Sequence, residues 1–330
     1  MNELPGPRRV VVNTTSRQPS TGSRIAGLGA YRPGRVVGND EAAAAAGVDA
    51  QWIEQRVGVR ERRYAAAAET VVSMAAAAGR AALEDADVSA ADVDTVILAT
   101  CSMPSPMPNG AAQVAAALAC PAAGFDLNAA CSGFNHALAV ADALIRAGTA
   151  GSVLVVAAER MSDWVAAEDR DTGPIFADGA AAALVMPSSE PGVFPVAWGS
   201  DGTKAGLIVI PGETGRMEIA GRQVFRWAAN ALTPVVDAAC ELARIKQRDL
   251  KAFVPHQANL RIVDALAQSL DAPDLVVATD IVGSGNTCAA SVPLALHALR
   301  HSGRVTSGDP VLLFGFGAGL TYAAQVVLCP

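Results

Sequence analysis

The chain is sparing with charge and with aromatic rings: only 17% of its 330 residues are charged, 5% are aromatic and four are histidine. Its six cysteines never fall in a C-x-x-C pair, which removes a clustered zinc site and a disulfide scaffold from consideration. Positive charge is in deficit, with 25 Lys and Arg against 32 Asp and Glu and a formal net charge of −7. A surface built throughout for nucleic acid is thereby excluded. No uninterrupted apolar, charge-free run is long enough to span a bilayer. A secretory signal is also lacking, because Met1 to Gly22 offers only Val10-Val11-Val12 after Arg8 and Arg9. What is abundant is apolar bulk, at 51% hydrophobic residues, enough for an extensive core. These features predict a globular protein of the reducing cytoplasm, with no nucleic-acid or membrane partner and a loosely attached leader over residues 1–22 rich in Pro, Ser and Thr.

Short apolar runs such as Thr95 to Leu98 and Val153 to Val156 alternate with alanine-rich helical patterns such as Val71 to Asp85 and Phe134 to Ala147. That alternation predicts an α/β fold with buried strands. It also repeats. Asp92 matches Asp249, Cys131 matches Cys288 and Gly151 matches Gly308, each across the same interval of 157 residues (249 − 92, 288 − 131, 308 − 151), with similar helices and strands between the landmarks. The spacing predicts a duplicated unit, with an N-terminal half over residues 23–186 and a C-terminal half over residues 187–330. In a duplicated fold the site forms where equivalent loops converge at the carboxyl ends of strands. Those segments are "ATCSMPSPMPNG", "DLNAACSGF", "VPHQANLRI", "GSGNTCAAS" and "FGFGAGLTY".

Cys131 stands at the predicted first turn of a helix, where unpaired N–H groups and the positive dipole end favour thiolate over thiol. The Ser132-Gly133 pair after it lets a bound group approach the backbone closely. Cys101, Cys120, Cys240, Cys288 and Cys329 are assigned the ordinary role of small buried hydrophobes. His256 follows a strand-like segment and suits a helix cap as well as it suits catalysis. Asn286, alone, reads better as an N-cap or turn residue. Beside Cys131 the two make a constellation. His136, His297 and His301 read as packing or surface residues. "GFGAG" precedes a strand and not a helix, so it is not a dinucleotide-binding fingerprint; it can instead supply a backbone N–H to a reacting carbonyl.

Taken together, "ACSGF", "VPHQANLRI", "GNTCAASVPLAL" and "GFGAGLTYA" resemble the β-ketoacyl-acyl carrier protein synthase III family of the thiolase superfamily, over about Ser23 to Cys329. The resemblance implies a duplicated thiolase-type fold with five layers, α-β-α-β-α, usually as a homodimer. The implied reaction is decarboxylative Claisen condensation of an acyl primer, delivered by acyl-coenzyme A, with malonyl-acyl carrier protein. No metal or redox cofactor is implied, coenzyme A thioester being substrate. Cys131 is implied as the acylated nucleophile, and His256 and Asn286 as the pair holding the malonyl thioester. The N–H groups of Cys131 and Ala318 would form an oxyanion hole. Trp52, Arg56 and Arg170 match positions that hold the coenzyme A nucleotide. Arg226 and Arg261 match carrier-protein docking positions, which Arg222, Arg244, Lys246 and Lys251 could extend. Met107 stands where a phenylalanine often closes the acyl pocket, and a flexible thioether there predicts a primer other than acetyl, so the chain started is a fatty acid or, favoured by that pocket, a polyketide. Two other readings stand beside this one: an acyltransferase of the same fold that moves an acyl group to a hydroxyl or amine without decarboxylation, and a non-catalytic partner subunit.

Overall fold

The computed structural model describes residues 18–330. Its first part runs through β1 (Gly22–Tyr31), β2 (Arg35–Gly38), α1 (Asn39–Ala46), α2 (Ala50–Val57), β3 (Glu61–Tyr64), α3 (Val71–Asp85), β4 (Thr95–Ala99), α4 (Gly110–Ala117), β5 (Ala123–Leu127), α5 (Gly133–Arg146), β6 (Val153–Arg160) and β7 (Asp178–Ser188). The second runs through β8 (Ala197–Ser200), β9 (Ile208–Val209), β10 (Glu218–Ile219), α6 (Gly221–Ala231), α7 (Thr233–Ala243), β11 (Ala252–Pro255), α8 (Leu260–Gln268), β12 (Val276–Val277), α9 (Ile281–Ser284), α10 (Ser291–His301), β13 (Pro310–Gly317) and β14 (Thr321–Leu328).

Most of the leader expected over residues 1–22 lies outside the described residues. Its last part is tied to the body: Ser20 Oγ donates to the Ser188 carbonyl at 3.1 Å, Thr21 Oγ1 to that of Ser189 at 2.7 Å, and Gly22 already belongs to β1. The position 186/187 falls inside β7.

Two five-stranded sheets carry their strands in the same order, β1-β7-β6-β4-β5 and β8-β14-β13-β11-β12. Corresponding strands keep the sequence interval: β4 begins at residue 95 and β11 at 252, β6 at 153 and β13 at 310, a step of 157 in each case (252 − 95, 310 − 153). Strands β4, β5 and β6 run parallel, as do β11, β12 and β13, while β7 and β14 are antiparallel to their neighbours. The alternation of side chains along each central strand creates the layers. Ile97, Val155 and Ala157 join Val311 and Leu313 in the core around α5 and α10, between the sheets. Their neighbours Val96, Leu98, Leu154 and Val156 face α3 and α4, and Leu312, Phe314 and Phe316 face α6, α7 and α8. The result is five layers, α-β-α-β-α, the duplicated thiolase-type fold. No helix among the described residues is long and apolar enough to cross a membrane.

The small side chains of α3 let it lie directly on β1. An added Cβ at Gly29 would sit 2.1 Å from the Ala78 carbonyl oxygen, whereas one at Gly34 would meet nothing within 4 Å. Gly29→Ala is therefore expected to lower the unfolding free energy by about 1–3 kcal/mol, the usual cost of overpacking, and Gly34→Ala to leave it unchanged. Urea unfolding of both variants checks this through a shift of midpoint at constant slope.

Candidate active site

Four segments, those after β5, β11 and β13 and the one after α9, meet beneath a cavity of about 460 Å³, lined among others by Cys131, His256, Asn286, Cys288 and Ala318. Cys131 lies in a single 3₁₀ turn, Ala130–Ser132, which leads into α5, so it precedes the α-helix and does not sit within its first turn. The turn is fastened to the glycine-rich segment opposite. Ser132 Oγ donates to the Ala129 carbonyl and lies 2.8 Å from Thr321 Oγ1, which also reaches the carbonyls of Ala129 and Ala318. Strand β13 passes so near that a Cβ on Gly317 would be 2.6 Å from the Cys131 Cβ and 2.9 Å from its Sγ. Only glycine fits there.

His256 is buried at the end of β11, its N–H donating to the Phe314 carbonyl at 2.7 Å. Its Nδ1 pairs with Ser291 Oγ at 2.6 Å, and Phe316 packs against the ring in a T-shaped contact at 5.4 Å. With Nδ1 taken, the other ring nitrogen serves the Cys131 side. The Asn286 Oδ1 accepts the Cys288 N–H at 2.8 Å, which fixes the amide and leaves its Nδ2 hydrogens to the cavity. That bond also steadies Cys288 at φ +48°, a left-handed conformation costing a residue with a Cβ about 1–2 kcal/mol.

Cys101 and Cys288 are more than the filler expected of them. The Cys288 Sγ lies 3.4 Å from the Cys131 Sγ and 3.4 Å from the Cys101 Sγ, so the three thiols form a chain. The Cys288 hydrogen bond, followed by the positive charge and ring hydrogen bond of His256 and the Ala318 N–H, holds the Cys131 thiol well below its ordinary range against the opposing effect of burial. Cys288 is pushed well above it by its bonds to Cys101 and Cys131 and by burial. Beside them, Glu159 is fully buried and accepts from Ser102 Oγ, from Thr100 Oγ1 at 3.1 Å and from the Cys101 N–H at 3.2 Å. Burial raises its carboxyl to about 7. Cys101, Glu159 and Cys288 are the group among the described residues whose donor atoms gather within 4.8 Å, but the carboxylate is already committed to these hydrogen bonds.

The cavity opens into a groove of about 1040 Å³ lined by Trp52, Arg56, Arg170, Arg222, Phe225, Arg226 and Arg261, with Asp171, Ile175, Ile219, Gly221, Phe225 and Asn259 common to both. Arg170 lies over the Trp52 ring at 5.1 Å and Arg261 over Phe225 at 5.6 Å, cation–π contacts that hold guanidinium groups along the groove wall.

Matches to known proteins bear on this arrangement directly. The description 3-Oxoacyl-[acyl-carrier-protein (ACP)] synthase III fits residues 125–202, and its C-terminal counterpart fits residues 240–329. The chain is 47% identical to beta-ketoacyl-[acyl-carrier-protein] synthase III 4 of Streptomyces coelicolor, over 94% of this chain and 99% of that one. The chain belongs to the β-ketoacyl-[acyl-carrier-protein] synthase III family. A family member from Mycobacterium marinum is 44% identical over 97% of this chain and 98% of its own. Among solved structures, the priming β-ketosynthase of the R1128 polyketide pathway superposes with a TM-score of 0.91 at 42% identity, covering 99% of both chains. The synthase III of Pseudomonas aeruginosa superposes with a TM-score of 0.89 at 36% identity, covering 94% of this chain and 98% of that one. The protein is thus an acyltransferase of the condensing type.

Within this synthase III frame two expectations require correction. Met107 does not line the cavity within this chain: it is 81% exposed in the loop between β4 and α4. The apolar wall behind Cys131 comes instead from Trp164, Phe176, Ile208, Ile210 and Met217. Sequence reasoning missed these residues, although "GLIVIPG", apolar in an otherwise polar connection, was the available signal. The basic patch is also smaller than expected. Arg222 belongs to the groove, but Arg244 and Lys246 line a separate hollow with Asp237, Glu241 and Asp271, and Lys251 lines neither.

Glu159 gives a testable pH dependence. Its carboxyl titrates near 7 when folded and at about 4.5 when unfolded, so its contribution is fully present below about pH 4.5 and is lost as pH rises through about 7. The loss should be on the order of 3 kcal/mol. Glu159→Gln is expected to flatten the decline of melting temperature between about pH 5 and pH 8. Calorimetry across that range decides it, and parallel curves for the two proteins would overturn the assignment.

Proposed function

We propose that the enzyme transfers an acyl primer from coenzyme A to Cys131 and condenses it with malonyl-acyl carrier protein, with loss of CO₂, to start a polyketide or fatty acid chain. The observation that carries this is the grouping of a depressed thiol, an imidazole and an outward-facing amide around one apolar cavity at the end of an arginine-lined groove. Cys131 attacks the thioester carbonyl, and its own N–H with that of Ala318 receives the oxyanion. His256 and the Asn286 Nδ2 then hold the malonyl thioester oxygen, stabilising the enolate left by departing CO₂, and that carbanion attacks the acyl group on Cys131. Trp52, Arg56 and Arg170 bind the coenzyme A nucleotide. Arg226 and Arg261 receive the acidic carrier, whose approach to an enzyme of net negative charge calls for a local positive surface.

The partner of His256 favours condensation over transfer to a hydroxyl. Deprotonating an alcohol calls for a carboxylate beside the imidazole, but Nδ1 faces the Ser291 hydroxyl and Glu159 is bonded to Thr100, Ser102 and Cys101. The similarity to a polyketide-priming ketosynthase supports a starter role. The division into halves at 23–186 and 187–330 and the homodimeric state are further parts of this reading. In a dimer the exposed Met107 would be covered by a second copy. A reducing cytoplasm suits the six unpaired cysteines.

Cys131→Ala should take up no acyl group from a radiolabelled acyl-coenzyme A. Asn286→Asp keeps the acceptor for the Cys288 N–H but removes the donor; it should still acylate while condensation falls about 100- to 1000-fold, the usual cost of one lost oxyanion-type donor. Equal loss of both half-reactions would count against the role given to Asn286. Arg226→Glu and Arg261→Glu should slow reaction with malonyl-carrier protein, more so at low salt, while leaving acylation by a small soluble thioester near its wild-type rate. Stopped-flow rates over a salt series provide the readout.

A further inference from the structure

Cys131 has a second thiol in contact with it that the condensation chemistry does not use. Cys288 occupies the equivalent position in the other half of the fold, at the same interval of 157 residues (288 − 131), and the convergence of the two halves brings the sulfurs to 3.4 Å. Its placement is built: the Asn286 Oδ1 holds its N–H, the backbone stays in the left-handed region, and the 3₁₀ turn Cys288–Ala290 packs against the one carrying Cys131. We propose that Cys131 and Cys288 form a peroxide-responsive pair in which Cys288 is the resolving thiol and the disulfide between them is a reversible, inactive state of the enzyme.

The steps balance without a bound cofactor. The Cys131 thiolate attacks one oxygen of hydrogen peroxide, forming an S–O bond as the O–O bond breaks, and the expelled hydroxide takes a proton to become water. The Cys288 sulfur then attacks the sulfenic sulfur, the S–O bond breaks, and the second hydroxide leaves as water with the Cys288 proton. Two thiols lose two electrons and two protons, and peroxide is reduced to two waters. The sulfurs, 3.4 Å apart, have only about 1.4 Å to close before they reach a bond of about 2.0 Å. Peroxide has a path, since both cysteines line the cavity that opens to the groove. The direction of reaction is also set. Cys131 is the thiol whose ionisation its neighbours favour, while the Cys288 bond draws the Cys101 thiol down but burial and Glu159 together push it up, to about 11, so Cys101 is the poorer first target. A resolving thiol captures the sulfenic acid before a second peroxide carries it to the irreversible sulfinic acid.

The inference shares with the proposed function its reading of Cys131 as the reactive thiol, and the test separates the two. The full chain is treated with hydrogen peroxide, alkylated with N-ethylmaleimide, and examined by intact mass and peptide mapping, and activity is followed before and after dithiothreitol. Wild type is expected to lose two hydrogens, to give a Cys131–Cys288 cross-linked peptide, and to regain its starting condensation rate on reduction. Cys288→Ser, compared with its own starting rate and checked for folding by circular dichroism, is expected to gain two oxygens at Cys131, as the sulfinic acid, and to stay inactive after reduction. Prior acylation with acyl-coenzyme A should block the cross-link in wild type. A cross-link between Cys101 and Cys288, or irreversible sulfinic acid at Cys131 in wild type, overturns the pairing, while uptake of the acyl group at Cys131 by protein not exposed to peroxide keeps the proposed function standing. A cross-link in a protein that takes up no acyl group supports the pairing and removes the proposed function instead. The wild-type peptide map needs no variant, so misfolding of Cys288→Ser does not spare the proposal.

Discussion

Everything at the site depends on how closely β13 passes the Cys131 turn. Gly317 leaves no space for a methyl group beside the cysteine, and the Ser132–Thr321 hydroxyl pair locks the turn to the segment beyond that strand. This contact joins the two sheets at one point and sets the position of the Ala318 N–H, because the residue after Gly317 follows the strand's path. It also explains why β13 is so uniformly buried: Val311 and Leu313 on one face, and Leu312, Phe314 and Phe316 on the other, fix its depth between two layers of helices. A strand free to shift by an ångström would lose the register of donor and thiol together.

The cavity places polar groups sparingly within an apolar lining, and that balance governs their strengths. Trp164, Phe176 and Met217 exclude water around Cys131, so each hydrogen bond to the sulfur acts in a medium of low polarity. The same burial acts oppositely on Glu159, which is drawn toward its neutral form although several donors surround it. The two groups lie close together yet shift in opposite directions relative to charge. Cys131 has neighbours that stabilise its anion, whereas the neighbours of Glu159 are neutral hydroxyls, a thiol and an N–H that do not offset its desolvation.

Much of this was legible in the sequence because it rests on local patterns. Buried runs such as Thr95 to Leu98 and Val153 to Val156 are strands in the structure, and the interval of 157 residues reappears as two sheets with matching strand order. Cys131, His256 and Asn286 stood at the starts of post-strand segments, and those segments converge. What escaped depends on contacts with no local period. Cys101 and Cys288 are 187 positions apart and meet only because the halves pack face to face. Arg244 and Lys246 share the charge of Arg226 but not its face, since the left-handed turn at Arg244 ends α7 and leads the chain away from the groove. The position of Met107 in its motif gave no sign of how far its loop projects, and the apolar wall made by Ile208 and Ile219 comes from a two-strand ribbon too short to show alternation.

The junction between the groove and the cavity acts as a gauge. A molecule occupying both passes a stretch bordered by five guanidinium groups, then Asp171 at the junction, and reaches a cavity whose wall is mostly apolar. Its reactive bond then has to fall at one distance from its charged end, where Cys131 waits. A handle too short leaves the carbonyl outside, and one too long drives polar atoms into the oily end. On the proposed function, selection of this kind would measure span before chemistry, and a compound with the right thioester on the wrong arm would be refused without any clash at the sulfur.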